Sequence, residues 1–66
     1  MDHSNRIVQL MQVANDKAWT ASEALKLAKI YASLGLYHAA AVELRSGRRA
    51  RRAADRIVND LIPLVA

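Results

Sequence analysis

Leu44-Arg45-Ser46-Gly47-Arg48-Arg49-Ala50-Arg51-Arg52 (residues 44–52) stands where the helical pattern of the chain changes phase. Upstream of it, Tyr37, Ala40, Ala41 and Leu44 recur on one helical side. Downstream, Ala50, Ala54, Ile57 and Leu61 form a second stripe, flanked by Ala53 and Val58. At about 100° per residue, the centres of the two stripes lie roughly a third of a turn apart, so a straight helix does not bury both on one plane. Gly47 lies between them. The spacing therefore predicts a break near 47–49, with helices over 36–46 and 49–62. Pro63 stops the last helix and leaves an apolar tail, Leu64-Val65-Ala66.

Working toward the N-terminus, Gly35 ends the preceding helix, because glycine alone adopts the left-handed C′ conformation without steric cost. That helix, over 21–34, has a marked start. Thr20 precedes Glu23 by three, the spacing of a capping box, and Trp19 stands one place before the cap, where it can staple onto Ala24. Ser22, Lys26, Lys29 and Ser33 make its polar strip. Leu27, Ala28, Tyr31 and Leu34 line the other side, with Leu25, Ile30 and Ala32 widening the apolar surface, so this helix is expected to be the most buried. The first helix, over 4–17, carries Ile7, Leu10, Met11, Ala14 and Ala18 on one stripe and Asn5, Gln9 and Gln12 away from it. Strand signals are almost absent. The expected fold is all-α, a small bundle of three to four short helices in a single domain over 1–66, the last two helices merging in the smaller version.

The 66 residues are 53% hydrophobic, but 13 are Ala, which leaves 22 larger apolar side chains. So small a chain has little core of its own, and a second copy is a natural source of the rest, giving an expected homo-oligomer. The chain has no Cys, which excludes disulfides and thiolate metal sites. The longest apolar run, 39–42, is far short of the ~20 residues of a bilayer span. The polar N-terminus, Met1-Asp2-His3-Ser4-Asn5, shows no secretory apolar region. These features lead to the expectation of a soluble, cytoplasmic protein.

Its net charge of +4 is uneven. Residues 1–33 hold Arg6, Lys17, Lys26 and Lys29 against Asp2, Asp16 and Glu23. The second half holds six Arg against Glu43, Asp55 and Asp60. Arg45, Arg48, Arg49, Arg51 and Arg52 fall within eight residues, with no acid among them. Such a cluster suggests an anionic partner. A break near Gly47 would place four of these arginines at a helix start, where the dipole disfavours them and a bound anion would relieve the conflict. The alternative is a solvated face in which Arg51 or Arg52 pairs with Asp55 and Arg56 with Asp60.

Residues 21–54 resemble a tetratricopeptide repeat, the 34-residue helix–turn–helix unit. Leu27 and Ala28 occupy the family's Leu and small-residue positions, and Tyr31 its first Tyr. Gly35 and Tyr37 match the G-x-Y turn, Ala40 the Ala of the second helix, and Gly47 the late small residue. Ala24 stands where Trp is usual, Leu44 where an aromatic is usual and Arg52 where Pro is usual. The resemblance covers half of the chain, once. It implies two antiparallel helices in close approach; the family's peptide-binding residues do not carry over, since one unit forms no concave groove.

Other chemistry finds little footing. A helix-turn-helix reader would need base-reading side chains, and residues 37–44 offer only His38 and Glu43 as polar candidates. His3 and His38 have no converging donors for a metal. Ser4, Ser22, Ser33 and Ser46 lack a nucleophile motif or a His–acid pair, and two Gly cannot build a phosphate loop. No catalytic residue, cofactor or metal is expected, and the chain is read as not an enzyme. Trp19 and Tyr37 are core residues or interface anchors, and Leu64 buries on the first helix or on another subunit. A basic helix over 48–62 lying on a membrane surface is a further option. The favoured expectation is a regulator or inhibitor docking on an acidic protein surface through Arg45, Arg48, Arg49, Arg51, Arg52 and Arg56. The alternative is a nucleic-acid-binding protein gripping phosphates with the same arginines.

Overall fold

The computed structural model describes residues 4–65 and has two helices, α1 (Ser4–Ser33) and α2 (Tyr37–Val65), folded back on each other. The all-α class stands; the number of helices is two, not three or four. The antiparallel hairpin measures 53 × 14 × 13 Å. No helix among the described residues is long and apolar enough to cross a membrane.

The turn is built by Gly35, whose φ of 78° is the left-handed conformation expected of it. Leu36 N–H donates to the Tyr31 carbonyl at 2.8 Å and Gly35 N–H to the Ala32 carbonyl at 3.0 Å. This pair of bonds is a Schellman motif, which satisfies carbonyls that the end of α1 would otherwise leave bare. Ala40 N–H then donates to the Leu36 carbonyl at 3.0 Å, and α2 begins.

Between the helices runs a seam of small residues. Ala14, Ala24 and Ala28 of α1 are buried against Ala40, Ala50, Ala54 and Leu61 of α2, with Gly47 buried among them. Ala14, Ala21 and Ala28 are spaced by seven, and so are Ala40, Gly47, Ala54 and Leu61. A strict seven-residue repeat keeps one face of a long helix toward its partner through a slight supercoil. That repeat corrects the expected break near 47–49. Of the upstream stripe only Ala40 is buried, while Tyr37 and Leu44 stay exposed. The two stripes therefore never compete for one plane, and Gly47 continues the seam instead of interrupting it.

The expected helix boundary between 17 and 21 is corrected as well. Thr20 lies inside α1, where its Oγ1 donates to the Asp16 carbonyl at 3.0 Å. Glu23 accepts from Lys26 Nζ at 3.1 Å. Neither side chain caps a helix, and Trp19, 66% exposed, is not a staple. The 21–34 segment is not the most buried either. Leu25, Leu27, Ile30 and Leu34 are exposed, because alanines occupy the contact line and their small size brings the backbones too close for larger side chains to enter. Pro63 lies inside α2 instead of stopping it. Two residues before the helix end, the missing N–H removes one bond of the final turn, and the helix tolerates it. His3 and Ala66 lie outside the described residues.

Candidate functional site

Continuous α2 redistributes the arginine cluster. Arg45, Arg49, Arg52 and Arg56 follow one another at spacings of three and four, and so share one side of the helix. At 1.5 Å per residue this stripe runs about 16 Å. Arg48 stands at its edge, and Arg51 points to the other side. All six are exposed. Among the described residues the arginines form one ion pair, Arg51 Nε to Asp55 Oδ1 at 3.6 Å. Arg56 does not pair with Asp60. No helix terminus lies at 47–49, so dipole attraction for an anion has no role there.

Beside Arg51 lies a groove that the sequence reading missed. One segment, of about 760 Å³, is floored by Ala14, Ala18 and Ala54 and walled by Val8, Met11, Val58 and Leu61, with Asn15, Arg51 and Asp55 at its edge. The next segment toward the turn, of about 480 Å³, is lined by Ala21, Ser22, Leu25, Leu44 and Gly47, with Arg48 and Arg51. Ala18 and Arg51 belong to both segments, so the two form one trough along a single face of the hairpin. Its cause is the seam itself, since alanine and glycine leave no side chain tall enough to fill the space between two rows of larger residues. The seven-residue spacing of the small residues was the available signal.

The three expected anchors do not converge. Trp19 lies outside both groove segments, Tyr37 opens α2 at 72% exposure, and Leu64 sits in its final turn. Tyr37 and Leu64 are thus about 40 Å apart along the helix. Leu61, not Leu64, is the residue of the C-terminal segment that buries on α1. The described residues hold no group of His, Cys, Asp or Glu that could bind a metal ion.

Comparison with protein-family models, with curated proteins and with solved structures gives no match.

Proposed function

We propose that the hairpin is a non-enzymatic binding protein, a regulator or inhibitor that docks on an acidic protein surface through the outer side of α2. The observation that carries this reading is the row of Arg45, Arg49, Arg52 and Arg56, exposed, on one side of a continuous helix and without ion-pair partners among the described residues. Four like charges in a row repel one another, and an opposing acidic surface converts that repulsion into steering and charge-assisted hydrogen bonds. A protein partner is favoured over nucleic acid by the apolar residues that accompany the stripe. Val42 stands three residues before Arg45 and seven before Arg49, at 47% exposure. A phosphate backbone offers it nothing to bury against, whereas a protein surface does.

The test is a titration with two probes, an amphipathic helical peptide bearing Glu on one side and a DNA duplex, each at low and moderate salt. Binding of the peptide, lost when Arg45, Arg49, Arg52 and Arg56 are all changed to Gln, supports the proposal. Binding of the duplex in preference to the peptide, weakening linearly in log salt, overturns it in favour of phosphate recognition.

A further inference from the structure

The trough face carries a pattern that the arginine stripe does not explain. Arg51 and its ion-pair partner Asp55 sit near its middle, and apolar residues lie on both sides of them. On α2, Leu44 and Ile62 stand nine residues from the centre of that pair, one in each direction. On α1, Gly47 fixes the level, since it lies beside Ala21 and Ala24. The Arg51–Asp55 pair therefore stands level with about residues 15–19, in keeping with Asn15 and Ala18 in the same groove segment. Val8 and Leu25 flank this level almost symmetrically. Val8, Leu25, Leu44 and Ile62 are all exposed at 47% or more except Leu44, at 37%.

A surface with Arg51 and Asp55 about its centre, Arg48 one turn from Arg51, and apolar groups at equal distances beyond is complementary to itself after a half-turn. We propose that this face binds a second copy of the chain, giving a two-fold four-helix assembly in which the copies run end to end in opposite directions. The two-fold axis lies across the helices at the level of Arg51 and Asp55. Each Arg51 then meets the second copy's Asp55, and each Asp55 its Arg51, as an isologous contact requires. Val8 opposes the second copy's Leu25, and Leu44 its Ile62.

Charge decides between the two closed ways of pairing the face. With the axis along the helices instead, Arg48 and Arg51 would lie over the second copy's α1 at their own level. The groove face there offers Asn15, Ala18 and Ser22, with no acid. Arg51 would be desolvated without a partner, which the end-to-end arrangement avoids by setting it against Asp55. The area is sufficient too. A face of 53 × 14 Å presents roughly 700 Å², close to the ~800 Å² per partner of a specific interface. Burial there also supplies what the hairpin lacks, because no large side chain among the described residues is fully buried.

The proposal goes beyond the acidic-surface reading and stands apart from it. Arg45, Arg49, Arg52 and Arg56 point away from the trough, so the four-fold Gln variant keeps the self-association even if docking is lost.

The experiment begins with sedimentation equilibrium of the wild type from low to high micromolar concentration, with helicity followed in parallel. The expected result is a reversible shift to twice the 7.3 kDa chain mass. A helical monomer throughout, with a thermal midpoint independent of concentration, overturns the proposal, as does assembly beyond the dimer. The register is read by cysteine pairing, which is clean because the chain has no cysteine of its own. An equimolar mixture of Val8→Cys and Leu25→Cys chains is expected to oxidise to a mixed disulfide, whereas each chain alone is not, its two cysteines being about 25 Å apart along the axis. Equal crosslinking of either chain alone overturns the arrangement. Finally, Arg51→Glu is expected to weaken association about tenfold or more, and Arg51→Glu combined with Asp55→Arg to restore it. An unchanged dissociation constant for Arg51→Glu excludes this register.

Discussion

Gly47 of α2 faces Ala24 of α1 so closely that a Cβ placed on the glycine would stand 3.2 Å from the alanine's methyl carbon and 3.4 Å from the Ala21 carbonyl oxygen. The glycine is there because the seam has no room, and its helix-breaking tendency is the cost of that contact. Two opposing effects meet in Gly47→Ala. Alanine gains about 1 kcal/mol in helix propensity, and the added methyl must push the Ala24 side apart by a few tenths of an ångström, so the net change in stability is expected to stay within about 1 kcal/mol. Gly47→Leu has no such balance. It forces the helices apart, and urea unfolding is expected to show a loss of about 2 kcal/mol or more. Equal stability of the leucine variant would show that the seam is not closed at this level.

Thr20→Ala separates a continuous α1 from a helix that starts at 21. If Thr20 were an N-cap, the change would cost about 1 kcal/mol. Inside a helix, with its hydroxyl bonded back to the Asp16 carbonyl, the threonine is the poorer residue, and alanine is expected to stabilise by about 0.5 kcal/mol. The sign of the shift in the thermal midpoint is the readout.

Gly35→Ala tests the turn. Nothing lies within 4 Å of a Cβ at this position, so space is not the obstacle, but φ is +78°. An L-residue pays about 1–2 kcal/mol for left-handed backbone. Gly35→Ala is expected to destabilise by that amount, and Gly35→Asn by less, since asparagine visits this region more readily. A neutral alanine variant would mean that the Schellman turn does not hold the hairpin.

The helical class, the turn at Gly35 and the arginine density were legible in the residues themselves, since each rests on local chemistry. The helix count was not. Leu25, Leu27, Ile30 and Tyr37 were weighed as core because they are large and apolar, while the contact line belongs to Ala14, Ala24, Ala28, Ala40 and Ala54. Alanine scores low in any hydrophobic stripe, yet it permits the closest approach of two backbones, so the periodicity that mattered was carried by the smallest side chains. For the same reason Gly47 read as a boundary. The capping box failed because Thr20 and Glu23 satisfy a local pattern that is equally at home inside a helix, where the decisive contacts come from α2. The arginines were read as one cluster because they are adjacent in sequence. On an unbroken helix adjacency scatters them, and only Arg45, Arg49, Arg52 and Arg56 remain on one side.

Leu61 is the exception in the seam, the one buried residue among the described ones larger than alanine, at 8% exposure. It takes the fourth place of the series Ala40, Gly47, Ala54 and Leu61, where it also walls the trough against Val8 and Met11. Leu61→Ala removes three carbons, the Cγ and both its methyls, from a contact that the neighbouring helix cannot easily close. A loss of about 2–3 kcal/mol is expected by urea unfolding at fixed chain concentration, which matters wherever association contributes. Leu27, at 40% exposure and outside both groove segments, provides the comparison. Its alanine variant is expected to lose clearly less, under about 1.5 kcal/mol, since about two fifths of the side chain is already in water and less contact is removed. If the two variants lose the same amount, the small-residue seam is not where the hairpin holds itself together, and the large apolar residues that the structure leaves on the surface must be buried in solution.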